Sequence, residues 1–344
     1  MMFPLMRIGI ALCALFLCTI FPADAAGKAI SGVGATFPYP VYSKWAAAYQ
    51  AETGIEVNYQ SIGSGGGIKQ IKTGTVAFGA TDAPLTSEAL ESSNLIQFPT
   101  LISGIVLVTN IGIPNTELIL DSSTLAGIFS GRIKRWNDPE LERLNPHVLL
   151  PNDHIIVVHR ADGSGTTFIF TRYLSELDLD WREYVGSNMM VSWPTGIGAK
   201  GSDGVANMVA RTRGAIGYVE YSYAKQNKLS MTQLINREGK AVMPSPKTIQ
   251  AAAQNAPWLS TPGFGLILTN QPGSESWPLA AATFILMRKK PRNSEETLES
   301  LNFFSWAYTK GEKIAEDLDY ALVPQNVIES VEALWKETFS KENP

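Results

Sequence analysis

Ile155-Ile156-Val157-Val158-His159-Arg160-Ala161-Asp162-Gly163-Ser164-Gly165-Thr166 is an apolar β-rich run that ends in a Gly/Ser/Thr loop, with a helical pattern starting directly behind it. Strand, tight loop and helix start make the repeating unit of an α/β protein. In open sheets of that class, ligands bind beyond the carboxyl ends of the strands. Two further segments have the same Gly/Ser/Thr character: Gly32-Val33-Gly34-Ala35-Thr36-Phe37 and Ile62-Gly63-Ser64-Gly65-Gly66-Gly67. A helix N-terminus carries unpaired N–H groups and the positive end of a dipole, so it attracts anions. Three such ends, the hydroxyls of Thr36, Ser64 and Ser164 and the forked cation Arg160 suffice to wrap a small oxyanion.

Outward from these loops, β-rich runs at 29–32, 56–60, 78–81, 105–110, 155–159, 215–220 and 283–287 alternate with helical patterns. The helices are expected at 39–52, 66–73, 165–177, 204–213, 291–309 and 323–339. The fold class is therefore α/β. The length favours two lobes over one. Two extended apolar segments, 101–109 and 283–287, are placed to carry the chain between lobes, as a two-strand hinge suited to clamshell closure. The expected division is 26–103 with 287–344 as one lobe and 104–286 as the other, the cleft lying between them.

Arg7 precedes an apolar run over 8–21, and Ala23-Asp24-Ala25 has the small-x-small pattern of a signal peptidase site. Residues 1–25 thus read as a cleavable secretory signal, cut near Ala25, and mark the protein for export. The two cysteines, Cys13 and Cys18, both fall inside it. The mature chain would have no disulfide, thiol nucleophile or Cys-based metal site. The chain has 28 basic and 32 acidic residues and a net charge of −4, and removing Arg7 and Asp24 with the signal leaves that charge unchanged. An acidic balance argues against nucleic acid. It also means that a bound anion is held by local groups against a mildly repulsive overall field.

Each loop carries two readings. Thr36 serves as an N-cap, with Pro38 and Pro40 near the first helical turn, or as a ligand donor. Gly65, Gly66 and Gly67 are poor helix formers. They indicate either a flexible turn or close backbone approach to a bound group, with Ser64 as hydroxyl donor. The third loop is the most specific, because Arg160 sits at a strand's end where Asp162 can fix its fork for bidentate contact with an oxyanion. Ser164, Gly165 and Thr166 add hydroxyls and N–H groups; a surface ion pair beside a capped helix is the alternative.

Asp82, in Gly79-Ala80-Thr81-Asp82-Ala83-Pro84, is either a turn residue or the key to selectivity. A carboxylate repels an oxyanion unless a proton lies between them. Phosphate at neutral pH keeps a proton and sulfate keeps none. Sites that use a substrate hydroxyl discriminate by roughly 10⁴–10⁵ against analogues lacking it.

The motifs Gly-Ala-Thr-Phe-Pro at 34–38, Ile-Gly-Ser at 62–64, Phe-Gly-Ala-Thr-Asp-Ala-Pro-Leu at 78–85 and Arg-Ala-Asp-Gly-Ser-Gly-Thr at 160–166 resemble the periplasmic phosphate-binding proteins of ABC-type phosphate uptake systems. Gly-Ala-Ile-Gly-Tyr-Val-Glu at 214–220 and Leu-Asp-Tyr-Ala at 318–321 extend the likeness across the mature chain. The resemblance implies a two-lobed, Venus-flytrap α/β fold with two mixed sheets flanked by helices. It implies phosphate contacts from Thr36, Phe37, Ser64, Asp82, Arg160, Ser164, Gly165 and Thr166, with Asp162 orienting Arg160. It also implies a monomer that hands inorganic phosphate to the transmembrane subunits of an ABC permease, without cofactor or metal. Gly65 stands where close relatives are expected to carry a second serine.

Gly196-Ile197-Gly198-Ala199-Lys200-Gly201 matches a dinucleotide fingerprint, but Trp193-Pro194 rather than a strand precedes it. It reads as a loop before the helix at 204–213, with Ser202 or Asp203 as N-cap. The clustered Trp and Tyr residues read as core. The rival functions are a binding protein for another tetrahedral oxyanion, such as sulfate or molybdate, and a secreted phosphatase or serine hydrolase using Ser164 or Ser64. The serine elbow requires glycine two places to either side of the serine. Ser164 has Asp162 and Thr166 there, and Ser64 has Ile62 and Gly66, so neither fits. His147, His154 and His159 form no metal-ligand pair at helical spacing.

Overall fold

A computed structural model describes residues 29–339 apart from 116 and 255, so the expected signal segment and both cysteines lie outside the described residues. The strands are β1 (Ala29–Gly34), β2 (Glu56–Ser61), β3 (Phe78–Thr81), β4 (Leu95–Thr109), β5 (Ile119–Leu120), β6 (Ile156–Arg160) and β7 (Ile197–Ala199). They continue as β8 (Ala215–Glu220), β9 (Ser230–Met231), β10 (Gln233–Ile235), β11 (Ala241–Val242), β12 (Ala280–Arg288) and β13 (Ala321–Leu322). The main sheet runs β2-β1-β3-β12-β4-β8-β6-β7, with β9 and β13 also pairing on β4. A small sheet, β11-β10-β5, has no counterpart in the sequence reading, because strands of two or three residues are too short to show a period.

The fold is the expected two-lobed α/β architecture, and β4 is its spine. Residues 95–104 pair antiparallel with β12, and residues 105–109 pair antiparallel with β8. The chain therefore crosses between halves in the middle of one fifteen-residue strand, every residue of which is buried. The return crossing comes just before β12, where the Ile105 N–H donates to the Leu279 carbonyl at 2.8 Å. From Ala280 onward β12 pairs only with β3 and with residues 95–104. Residues 286 and 287, where the sequence places the second boundary, both lie inside β12, which pairs along its length with β3 and residues 95–104.

Pro99 interrupts the sequence signal of β4, and the structure accommodates it at a register shift, with Thr283 opposite Leu101 and Phe284 opposite Pro99. Proline lacks an N–H and is tolerated at such bulges. In the first half, the helix Tyr39–Thr53 buries Val41, Tyr42, Trp45 and Tyr49 at helical spacing, and Gly54 ends it at a φ of 76°. Its Tyr42 ring packs on Tyr59 and Phe304, and both of these pack on Phe78. The second half is built around Phe129, Phe170 and Tyr218. Most of the aromatic residues are accordingly core, with Trp45, Trp136 and Trp277 fully buried and Tyr39 and Tyr184 exposed.

Candidate functional site

The parallel strands β1, β2, β3, β6 and β7 all end at one place. Just beyond their carboxyl ends lie Thr36 and Phe37, Ser64, Asp82, Arg160 itself and Ser202. Helices Ser64–Thr73, Gly165–Leu177 and Gly201–Arg211 begin there, with their N–H ends toward the cleft. Every residue that the sequence singled out for anion contact lies in this cluster, and every one is buried.

The two halves touch directly. Ser64 Oγ accepts from the Gly165 N–H at 3.1 Å and from the Asp82 N–H at 3.2 Å. The Gly65 N–H donates to the Gly163 carbonyl at 2.9 Å. A Cβ on Gly165 would stand 2.6 Å from both Ser64 Oγ and Asp82 Cβ, so glycine at 165 is a condition of closure. Gly63 has a φ of 88°, which lets the chain leave β2 and enter the helix in one step. Of the glycine run, for which the sequence leaves a flexible turn and backbone approach to a ligand both open, Gly67 is explained by packing. A Cβ there would meet Gly34 Cα and the Ala80 carbonyl oxygen, each at 2.7 Å.

Arg160 is 4% exposed. Its Nε donates to Asp162 Oδ1 at 2.8 Å and its Nη2 to Asp162 Oδ2 at 2.5 Å, so the fork is fixed as expected. Nη1 reaches Ser202 Oγ at 3.4 Å. A guanidinium has five N–H donors. Asp162 and Ser202 take three of them, so one on Nη1 and one on Nη2 remain for a ligand. Burial pushes the Asp162 carboxyl up, but two hydrogen bonds and the charge of Arg160, with the Gly201 N–H, outweigh it and hold it below the usual range.

Asp82 is 1% exposed and accepts from Thr283 Oγ1 at 2.5 Å. Burial pushes its carboxyl up to about 7, against the opposing pull of the Thr283 hydroxyl, the Arg160 charge and the Ser64 hydroxyl. It is a proton acceptor set among donors. Ser164 Oγ accepts from the Thr167 N–H at 3.0 Å and caps its helix. Thr166 Oγ1 is buried with no hydrogen-bond partner among the described residues.

Two expectations about caps fail. Thr36 does not cap the helix Tyr39–Thr53, whose N-cap is Pro38; its hydroxyl turns into the cleft to meet Ser202 Oγ at 2.8 Å. Nor does Ser202 or Asp203 cap a helix, because the helix starts at Gly201 and Ser202 lies within its first turn. Several residues around the site were missed. Thr283 passes for an ordinary β-former. Tyr218 OH accepts from the Arg160 N–H at 3.2 Å and pairs with Thr167 Oγ1 at 2.6 Å, which explains the Gly-Tyr-Val-Glu motif. Tyr223 and Tyr320 hydroxyls donate to the carbonyls of Thr36 and Phe37, each at 2.7 Å, and fix that loop.

Two α/β halves sharing one strand and closed over a nest of donors define the class: a two-lobed binding protein. Residues 22–309 match the PBP superfamily domain. The chain is 51% identical over 313 residues to the phosphate-binding protein PstS of Haemophilus influenzae, covering 91% of this chain and 94% of that one. It is 49% identical over 317 residues to the PstS of Pasteurella multocida, covering 92% of each. A periplasmic phosphate-binding protein solved with phosphate bound (PfluDING) shares the fold at a TM-score of 0.73 and 20% identity, over 89% of this chain and 93% of that one. The chain belongs to the PstS family of the PBP superfamily.

Proposed function

We propose that this protein captures inorganic phosphate in its cleft and delivers it to the transmembrane subunits of an ABC-type permease. One observation carries the choice of anion: a buried carboxylate, Asp82, stands in a site otherwise made of donors. An oxyanion that keeps a proton satisfies that acceptor, whereas a proton-free one meets an unpaired lone pair and a like charge. Thr36, Phe37, Ser64, Arg160, Ser164, Gly165 and Thr166 supply the donors, and Asp162 orients Arg160. The lobes in this reading are 29–104 with 280–339, and 105–279. Contacts from both lobes favour the closed state, so the ligand shifts the population toward closure. The protein acts in the periplasm as a monomer, exported by residues 1–25.

Titration calorimetry of the mature protein, stripped of anion, tests this at about pH 9, where Asp82 is ionised. Phosphate is expected to bind and sulfate to bind far more weakly. Equal binding of both anions would sink the proton-acceptor argument, and silence toward both would sink the reading.

In this reading the protein is not an enzyme. Ser64 Oγ and Ser164 Oγ both accept backbone N–H groups, and neither meets a histidine nitrogen among the described residues. Phosphate-ester hydrolysis is expected to be absent with and without added metal; turnover lost in Ser164→Ala would overturn that.

A further inference from the structure

Ser202 touches two of the proposed phosphate ligands, one on each side of the cleft. It is 1% exposed, and the fingerprint-like segment at 196–201 delivers it there rather than to any nucleotide. The Gly201 N–H donates to Asp162 Oδ1 at 3.0 Å, which ties the start of this helix to the Arg160–Asp162 pair. Ser202 Oγ then lies 3.4 Å from Arg160 Nη1 and 2.8 Å from Thr36 Oγ1.

The inventory of each group fixes the first donor along this row and leaves two orders for the second. A guanidinium only donates, so Ser202 Oγ accepts from Arg160. Either hydroxyl can donate in the Ser202–Thr36 contact, and where Ser202 supplies the proton the Thr36 oxygen accepts it. Thr36 is left with its own proton free to point into the cleft. Were the direction reversed, Thr36 would show the anion only lone pairs. The Thr36 main chain is already held by the Tyr223 hydroxyl and the Tyr39 N–H on its carbonyl, so the hydroxyl rotor is what Ser202 decides.

We propose that Ser202 is a positioning residue that makes Thr36 a donor to the bound anion by relaying the polarity of Arg160 across the cleft. The inference rests on the phosphate reading above and adds a residue to it. Each member of such a row polarises the next, so the contribution of Ser202 runs through Thr36.

The test is a double-mutant cycle read by phosphate calorimetry, with thermal unfolding as a check on folding. Ser202→Ala is expected to weaken phosphate binding about tenfold. Thr36→Val weakens it at least as much, and the double variant binds no worse than Thr36→Val alone. Ser202→Cys keeps most of the volume but donates poorly, so it should follow Ser202→Ala and carries the test if alanine fails to fold. Losses that multiply in the double variant would assign Ser202 a merely structural role and overturn the proposal. So would wild-type affinity in Ser202→Ala. A wild type silent toward phosphate would overturn the underlying reading, and this inference with it.

Discussion

Arg160→Ala is expected to weaken phosphate binding by about 10²-fold or more, read by calorimetry against wild type. Truncating one member of a buried, hydrogen-bonded charge pair costs about 2–5 kcal/mol, and each 1.4 kcal/mol is about tenfold in affinity. The side chain is nearly inaccessible, and two of its five donors are left for a ligand. A single substitution therefore removes the charge and both contacts together. It also leaves the half-buried Asp162 without its cation, which destabilises by less than the roughly 3–5 kcal/mol of a fully buried broken pair. Arg160→Ala with Asp162→Asn separates the two effects, since it relieves the stranded carboxylate without restoring the donors. That double variant should recover thermal stability and still fail to bind. Arg160→Lys keeps the charge on a point rather than a fork, and should fall between wild type and alanine. Phosphate affinity within a few-fold of wild type in Arg160→Ala would remove Arg160 from the site.

The legibility of these residues in the sequence follows from how each side chain is introduced. Arg160 is conspicuous because a cation directly follows a strand of β-branched residues, where burial would otherwise be pure cost. Ser64 and Ser164 are marked by the glycines around them. Thr283 carries no mark, since threonine is at home in a strand and only its pairing through Asp82 reveals it. Ser202 is hidden twice over, directly behind a segment that mimics a nucleotide loop and at a place where serine suggests a cap. The spine strand shows in the sequence as a strand over 105–110 and an extended segment over 101–109 but not from 95, because Pro99 breaks the pattern that a sheet bulge repairs. Conversely, Gly65, Gly66 and Gly67 suppressed the helix start that tertiary packing imposes at Ser64. Local chemistry located the donors; the contacts that orient them come from strands distant in sequence, and these only the fold brings together.

Asp82→Asn should convert a site that distinguishes phosphate from sulfate into one that does so poorly. Asparagine keeps an oxygen where Thr283 donates and places an amide N–H₂ near Ser64 and Gly165, where wild type needs a proton from the ligand. Sulfate can accept from that amide. The size of the change depends on pH, because the wild-type carboxyl is pushed up to about 7. Below that value Asp82 is itself protonated and can donate to sulfate; above it, sulfate binding must first draw in a proton. Wild-type sulfate affinity is therefore expected to fall about tenfold for each pH unit above about 7, up to the limit of roughly 10⁴–10⁵ for hydroxyl-dependent sites. Phosphate, which brings its own proton, should not follow that slope. At about pH 9, two units above the carboxyl's value, Asp82→Asn should then bind sulfate about 10²-fold more tightly than wild type does. Its sulfate affinity should be flat with pH across the range where wild type declines. A variant that still binds phosphate but ignores sulfate at every pH would show that selectivity lies in the shape of the donor nest, with the proton on Asp82 irrelevant to it.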